Sequence, residues 1–295
     1  MYEQHFQSAQ ELLDYLSPLH TDRWPRGQYV FRGQPCSSFG LVPSTLRNSG
    51  RMVLSNVIGT KSEGGEMLQI FYEVQLLRAF LRACDVSGIS VPGDSPQVRT
   101  EISAPTWEIF DIKKGETWPP SLIYPVLAAA QHHGVPTCLL DWSKRSFVAA
   151  YFAASAALQD LPSSKELAVW VLDISQWWSW YGDTGISFLE MPGATSTNLA
   201  AQSGVFTVST RKIHTRDELE PTSLEKLLEE PESESEKPLI SKLTLPLHEA
   251  PNVLSFCAEF GIMGSTMFPG YEGVAREIRD NAFAGTLEKS LWLYN

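Results

Sequence analysis

A short polar segment at the centre of the chain, residues 131–143, constrains how the chain around it can fold. Residues 125–133, which overlap the start of this segment, predict an apolar helix, because proline suits the first helical turn and Gly134 suits the position after the last turn. Residues 147–158, rich in alanine and aromatic side chains, predict a buried helix. The thirteen residues of the segment itself carry five side chains that can bind a ligand, carry a charge or transfer a proton. Function is therefore best sought in this segment.

The remaining pattern mixes strands and helices without strict alternation. Helices are predicted at residues 8–16, 67–84 and 253–260, and strands at residues 28–33, 135–142, 167–174, 204–209 and 239–245. Such a mixture favours an α+β fold, with a mixed sheet core flanked by helices, over a doubly wound sheet. A chain of 295 residues with 43% hydrophobic content can bury one large core, so we expect a single domain over residues 1–295.

Two stretches depart from this pattern. Residues 87–118 are rich in proline, glycine, aspartate and threonine, which predicts a long surface excursion. Residues 214–238 predict an acidic, flexible insertion, because nine acidic residues face three basic ones between positions 216 and 237. The net charge of −11 argues against a broad nucleic-acid-binding face and leaves a local basic pocket open.

Absent motifs disfavour several common sites and locations. No apolar run reaches the roughly 18 residues that cross a bilayer, and the first residues lack the order of a signal peptide. We therefore expect a soluble, cytoplasmic protein without membrane contact. The four cysteines form no Cys-x-x-Cys pair, which argues against a zinc knuckle or a disulfide framework. Glycine-rich phosphate loops, His-Glu-x-x-His and Gly-x-Ser-x-Gly are also absent.

Two adjacent histidines, His132 and His133, lie in the last turn of the predicted helix. The unpaired carbonyls there favour the imidazolium form, so either histidine could hold an anionic group. The alternative is structural, with one histidine capping the helix and the other packing beside Trp142. Metal binding is disfavoured, because adjacent histidines do not share a helix face and no acidic partner lies at a ligand spacing.

Asp141 lies within the apolar run Leu-Leu-Asp-Trp, so its charge requires a partner if it is buried. Arg32 is the natural candidate, because it follows three β-prone residues at a strand end. Gly33 next to it would allow the backbone or a ligand to approach closely. The pair could serve a ligand, or it could be a structural ion pair that only fixes the core.

Four segments of the chain match one known pattern. They are Phe-Arg-Gly-Gln at 31–34, the central segment at 131–143, Ala-Gln-Ser-Gly-Val-Phe-Thr at 201–207, and the closing residues 260–262 with 267–275. Together they resemble the FRG domain family, named for its Phe-Arg-Gly signature, over about residues 28–277. The chain departs from the family at Cys138 and Leu199, where basic residues are usual, and the loss of both weakens any phosphate contact they would make.

The order of these motifs is also similar to the ADP-ribosyltransferase fold with its split sheet. In that fold an arginine grips the diphosphate of NAD, a serine or threonine orders the nicotinamide side, and a late glutamate assists transfer. The resemblance implies these roles for Arg32, Ser143 and Gln202. Ser143 has a structural alternative as the N-cap of the following helix, a position that serine favours.

The missing glutamate is the main departure from that fold. Cleavage of the bond between nicotinamide and ribose builds positive charge on the sugar, which a carboxylate would stabilise. Gln202 carries no such charge, although it could orient a substrate hydroxyl. Glu190, Asp141 or Glu272 would then have to supply the charge from elsewhere.

The other expected ligand-binding residues surround these three. They are Gly33, Gln34, His132, His133, Gly134, Thr137, Asp141, Trp142 and Phe206. Gln202 and Phe206 are predicted to share one strand, with their side chains on one face of a pocket. The alternatives are that Phe206 is core, that Gln202 bonds a loop, and that Thr137 ends a strand. NAD or a related nucleotide is the expected ligand, and no metal is expected.

Three functions from different classes follow from these residues. The first is an NAD-using ADP-ribosyltransferase-like enzyme that modifies an intracellular protein or nucleic acid, as a toxin or an antiviral defence effector would. The second is a non-catalytic nucleotide-binding module. The third is a nuclease or other hydrolase that uses His133 and Asp141 as acid and base.

Overall fold

The computed structural model describes most of the chain. The described residues are 1–47, 66–103, 117–160, 165–175, 177, 185–193, 196–212, 222–228 and 238–285. The helices are α1 (Ala9–Tyr15), α2 (Glu66–Ser87), α3 (Pro96–Ser103), α4 (Tyr124–His132), α5 (Ser146–Asp160), α6 (Thr197–Gln202), α7 (Leu224–Leu227), α8 (Ala250–Glu259), α9 (Gly264–Met267) and α10 (Tyr271–Phe283). The strands are β1 (Tyr2–His5), β2 (Tyr29–Gln34), β3 (Thr117–Trp118), β4 (Leu139–Ser143), β5 (Glu166–Asp173), β6 (Ile186–Leu189), β7 (Gly204–Ser209), β8 (Arg211–Lys212) and β9 (Ile240–Pro246).

Seven strands form a mixed sheet in the order β1-β9-β5-β2-β4-β7-β6. β1 runs parallel to β9, and every other neighbouring pair in this sheet is antiparallel. A second, two-stranded sheet pairs β3 with β8. The expected α+β class, with a mixed sheet flanked by helices, is therefore confirmed.

The sheet is weakly joined between β2 and β4. β2 pairs with β5 through six residue pairs, from Tyr29 to Gln34, but it pairs with β4 through one pair only, Phe31 with Ser143. The two strands therefore diverge beyond Phe31, and the ladder there lacks its usual backbone hydrogen bonds. This divergence leaves room at the middle of the sheet that side chains must fill.

Helices α4 and α5 cover the same face of the sheet on either side of this divergence. Phe31 and Ser143 are cross-strand neighbours and share a face, and alternation along β4 places Leu139 on that face too. Phe31 packs in a core cluster with α1, α5 and α8, whereas Leu139 packs in a second cluster with α2, α3 and α4. The opposite face is covered by a third cluster around Trp142 and Trp170.

Parts of the two unusual stretches are packed into the protein. Residues 96–103 form α3, where Val98 and Ile102 are buried against the α2 cluster, so this part of the expected surface excursion is anchored in the core. Within the acidic stretch, Leu224 is buried near Leu41, and the Glu225 carboxylate accepts a hydrogen bond from the Leu41 backbone nitrogen at 2.9 Å. In both stretches, apolar side chains at helical spacing pack into the core although the neighbouring residues are polar. Residues 104–116, 213–221 and 229–237 lie outside the described residues.

All four cysteines are buried, and none forms a disulfide. In the described part of the chain, no helix combines the length and the apolar character needed to span a bilayer.

Substitution of Gly33 by alanine is expected to destabilise the protein. A Cβ atom at Gly33 would lie 2.0 Å from the Ala149 carbonyl oxygen and 2.5 Å from the Ala153 nitrogen, both in the backbone of α5. The helix would have to move, at a cost of roughly 1–3 kcal/mol in the free energy of unfolding. Chemical denaturation measures this change. Gly193→Ala is the matched control, because its Cβ would make an ordinary contact of 3.6 Å with Ala200. Equal effects of both substitutions would contradict the prediction.

Candidate functional site

A cavity of about 290 Å³ lies where β2 and β4 diverge, next to the end of α4 and the middle of α5. Its walls come from segments that are far apart in the sequence. The polar lining residues are Arg32, Gln131, His132, Asp141, Ser143, Gln202 and Arg276, and the aromatic ones are Phe31, Trp142, Phe152 and Phe268. The fold therefore brings Arg32, part of the central segment and Gln202 to one cavity.

Arg32 bridges the two diverging strands. Its Nη1 donates a hydrogen bond to the backbone oxygen of Asp141 at 2.6 Å and lies 3.6 Å from the Asp141 carboxylate. The Arg32 side chain is only 14% exposed, whereas that of Asp141 is 48% exposed. Burial lowers the pKa of Arg32 and Asp141 opposes that shift, but a guanidinium remains charged at neutral pH. The predicted ion pair is confirmed, and its carboxylate stays open to solvent.

Gln131 holds the other side of Asp141. Its Nε2 donates to Asp141 Oδ2 at 2.8 Å, and its Oε1 accepts a hydrogen bond from the Thr137 hydroxyl at 2.5 Å. The Thr137 oxygen in turn accepts from the Leu139 nitrogen at 3.1 Å. Thr137 is buried and does not line the cavity. It therefore orients Gln131, which places the Asp141 carboxylate.

The two histidines occupy different surroundings. His132 lines the cavity and meets Phe206 edge-on, with ring centroids 5.8 Å apart. Burial lowers the pKa of His132, Asp141 opposes this shift, and His133 adds to it. The expected imidazolium at the helix end is therefore disfavoured at His132, because desolvation outweighs the helix carbonyls. His133 is the exposed C-cap of α4 and is not among the lining residues.

Arg276 enters the cavity from α10. Its guanidinium carbon lies 4.4 Å from the centroid of the Phe268 ring. One helical turn later, the buried Asp280 accepts hydrogen bonds from Tyr151 and Ser155, both at 2.7 Å. Burial and then Asp280 raise the pKa of Tyr151, so its hydroxyl remains a donor. These bonds fix α10 to α5 and thereby position Arg276.

Three buried side-chain nitrogens lack a hydrogen-bond partner within the described residues, and all three belong to residues that line this cavity. They are Arg32 Nε, His132 Nε2 and Arg276 Nε. Buried donors are nearly always satisfied in folded proteins, because an unmade bond costs about 1–3 kcal/mol. The two arginine N–H groups, and His132 in the tautomer that carries its proton on Nε2, therefore suit a group with several acceptor atoms.

The charge around the cavity favours an anion. Two arginines line it, against one carboxylate, that of Asp141. Arg47 adds a further positive charge near Arg32. Burial, and then the charge of Arg32, lower the pKa of Arg47 to about 10, and Asp141 opposes this shift. Arg47 is still charged at neutral pH, and its Nε donates to the Val42 oxygen at 2.8 Å. The described residues contain no group of three or more His, Cys, Asp or Glu that could hold a metal.

Ser143 and Gln202 line the cavity but are already engaged. The Ser143 hydroxyl donates to the Gln202 backbone oxygen at 2.7 Å and accepts from the Arg145 nitrogen at 3.0 Å. The helix that follows begins at Ser146, so Ser143 precedes the first turn and is not its N-cap. The Gln202 Nε2 donates to the Met267 oxygen at 3.0 Å. Both side chains therefore hold the cavity walls together.

The predicted shared strand of Gln202 and Phe206 is wrong. Gln202 ends α6, Ser203 adopts a left-handed conformation with φ of 48°, and β7 begins at Gly204. Ser196 caps α6 and the buried Leu199 anchors it, which favours a helix over continued strand. Phe206 is buried in the core and is not among the lining residues.

The remaining expected ligand residues differ in whether they line the cavity. Gln34 is buried, where its amide donates to the Gly40 oxygen and accepts from the Trp170 indole. Gly33 lines the cavity and allows α5 to approach. Gly134 ends α4 with φ of 81° and lies outside the lining. Trp142 does line the cavity, and its Nε1 donates to Thr207 at 2.9 Å.

Of the carboxylates proposed from sequence, only Asp141 lines the cavity. Glu190 pairs with Lys144, and Glu272 is exposed in the first turn of α10. Sequence reasoning missed Gln131 and Arg276 as site residues. Both were adjacent to recognised motifs, since Gln131 opens the central segment and Arg276 directly follows the closing one.

The fold and the cavity define an α+β protein with a composite, cationic pocket at the centre of a mixed sheet. A family model for the FRG domain matches residues 27–161, which include Arg32 and the whole central segment. Residues 27–161 are therefore similar to the FRG domain family, which supports the resemblance over this part of the chain. No curated protein and no solved structure matches the chain significantly.

The stability of the ligand-free protein is expected to fall as the pH drops below about 6.5, the usual pKa of histidine. Because burial lowers the pKa of His132, the unfolded chain binds this proton more readily than the folded chain. The contribution of His132 to stability is thus complete above about pH 6.5 and is lost as the pH falls through the lowered pKa of His132. The unfolding free energy at pH 7.5 and 5.5 measures the slope. His132→Asn should reduce it and His133→Asn should not, and equal slopes for all three proteins would contradict the prediction.

Proposed function

We propose that the cavity binds the phosphate-bearing part of NAD and that the protein transfers ADP-ribose from NAD to an intracellular macromolecule. The observation that carries the proposal is that three buried side-chain nitrogens without a partner among the described residues, on Arg32, His132 and Arg276, belong to residues that line one cavity. Arginine binds phosphate through several N–H groups at once, and a diphosphate offers acceptors to more than one arginine. A neutral His132 can donate to the same group in the tautomer that carries its proton on Nε2.

Two further observations support NAD as the ligand. The motif order is similar to that of ADP-ribosyltransferases, in which an early arginine contacts the diphosphate. The divergence of β2 and β4 opens the sheet beside Arg32, and a split sheet of the ADP-ribosyltransferase type would have its ligand cleft at such a place. Trp142, Phe152 and Phe268 add aromatic surface for a planar ring.

The proposed reaction breaks the bond between ribose C1′ and the nicotinamide nitrogen. The bonding electrons leave with nicotinamide, and an oxygen or nitrogen of the acceptor forms the new bond to C1′ while its proton is released. Asp141 is the carboxylate in the cavity that can stabilise the positive sugar and accept that proton. Gln131 and Arg32 hold it in place.

A non-catalytic nucleotide-binding module is the second candidate. One observation favours it, because Ser143 and Gln202 are both engaged in bonds within the protein and Asp141 is paired with Arg32. Binding would then need only Arg32, His132 and Arg276. The hydrolase hypothesis depends on His133, which is exposed and is not among the lining residues.

Loss of either cavity arginine is expected to weaken NAD binding. Arg32→Gln and Arg276→Gln each remove a charged donor, and such a bond contributes about 1.5–3 kcal/mol. The dissociation constant should therefore rise roughly 10-fold to 100-fold, as measured by calorimetry. Arg82→Gln, at an exposed position on α2 away from the cavity lining, is the control. Unchanged affinity in both cavity variants that remain folded would refute the proposed ligand site.

Asp141→Asn separates the enzyme from the binding module. The substitution keeps a side chain of similar shape but removes the charge that stabilises the developing sugar cation. Nicotinamide release from labelled NAD, assayed with cell extract as acceptor, is expected to fall by roughly 100-fold or more. NAD affinity should not fall, because a negative charge has been removed next to the phosphate donors. If the wild-type protein binds NAD without releasing nicotinamide, the binding module is the correct function.

A further inference from the structure

A second, larger cavity of about 530 Å³ adjoins the first. Phe31 lines both cavities. Ser143 also lines the first cavity, and Ser146, at the start of α5, lines the second. The two cavities therefore lie on either side of the single residue pair that joins β2 to β4. The second cavity contains none of the residues proposed above to bind phosphate or to act in catalysis.

Aromatic rings form much of the second cavity. Trp24 meets Tyr29 and Phe31 edge-on, with ring centroids 5.1 and 5.6 Å away, and so stands in a fixed orientation. On the other side, Phe147 and Phe260 pack against each other at 5.2 Å. Phe260 is 63% exposed, so much of its ring is open to a ligand. Rigid aromatic walls with one exposed ring suit a planar base.

The charge of the second cavity is opposite to that of the whole chain. Arg26, Lys144 and Arg145 line it, and no carboxylate does, although the chain has a net charge of −11. Lys144 is neutralised by Glu190. Arg145 contacts only a backbone oxygen, that of Ala201 at 3.5 Å, and neither it nor Arg26 has a carboxylate partner in the described structure. Two exposed guanidinium groups are thus available for a phosphate.

The first cavity is too small for a whole dinucleotide. Its volume of about 290 Å³ lies just below the roughly 300–1,000 Å³ of sites for drug-sized ligands. A dinucleotide whose nicotinamide half fills it must therefore continue outside. The adjoining cavity offers aromatic walls and arginines, which are the groups that recognise a base and its phosphate.

We propose that the second cavity binds the adenosine half of the same NAD molecule, with its phosphate near Arg26 and Arg145. This inference rests on the proposed function, because it assumes that the nicotinamide half occupies the first cavity. Adenosine monophosphate tests the second cavity separately, and nicotinamide mononucleotide tests the first.

The test uses the full chain with Arg26→Glu and Arg145→Glu combined, and calorimetry with three ligands. Both positions are exposed, so the folded structure should tolerate the change. The affinity for adenosine monophosphate should fall at least about 10-fold and that for NAD should fall as well, because charge-assisted contacts are lost. Binding of nicotinamide mononucleotide should be unchanged. Arg82→Glu is the control for a general charge effect.

The outcomes separate this inference from the proposed function. In the wild-type protein, adenosine monophosphate and NAD should compete. Simultaneous binding, or binding only of single-stranded oligonucleotides, would place a separate nucleotide in the second cavity and overturn the inference. The inference is also overturned if adenosine monophosphate does not bind, or if its affinity is unchanged when both arginines are substituted. Nicotinamide mononucleotide that fails to bind, or is indifferent to Arg32→Gln, instead overturns the proposed function.

Discussion

The contact between Arg32 and Asp141 is the interaction on which the centre of the structure depends. β2 and β4 share one backbone residue pair, and beyond it the Arg32 guanidinium donates to the Asp141 carbonyl in place of ladder hydrogen bonds. The carboxylate of Asp141 lies 3.6 Å away and compensates part of the cost of burying a cation. The gap in the sheet is therefore bridged by a charged side chain, whose Nε has no partner among the described residues.

The packing around this contact holds the walls of the cavity in place. Gly33 lets the α5 backbone lie directly on β2, so that wall is closed by close packing. The bonds from α5 to Asp280 fix α10, and α10 supplies Arg276 to the opposite wall. Each wall is held by contacts outside the cavity, and the donors inside are therefore held in place before any ligand binds.

Much of the site could be predicted because its chemistry is local in the sequence. Asp141 stands in an apolar strand and Arg32 follows a β-prone run, so their pairing could be expected from the cost of burying a charge, although the buried member of the pair is Arg32 and not Asp141. Gln202 was misplaced on a strand, because the helix 197–202 is short and depends on the Ser196 cap and the burial of Leu199. Arg276 was missed, because nothing in α10 itself shows that Asp280 is fixed to Tyr151.

The sequence by itself determined the α+β class, the helix–strand–helix arrangement around residues 131–143, and the residue types that meet at the site. These follow from periodicity, turn residues and the cost of burying charge, which act over a few neighbours. Only the tertiary structure decided where β2 and β4 part, which nitrogens remain unpaired, and that two cavities share Phe31. Those features depend on packing between segments more than 100 residues apart in the chain, and no local pattern records such packing.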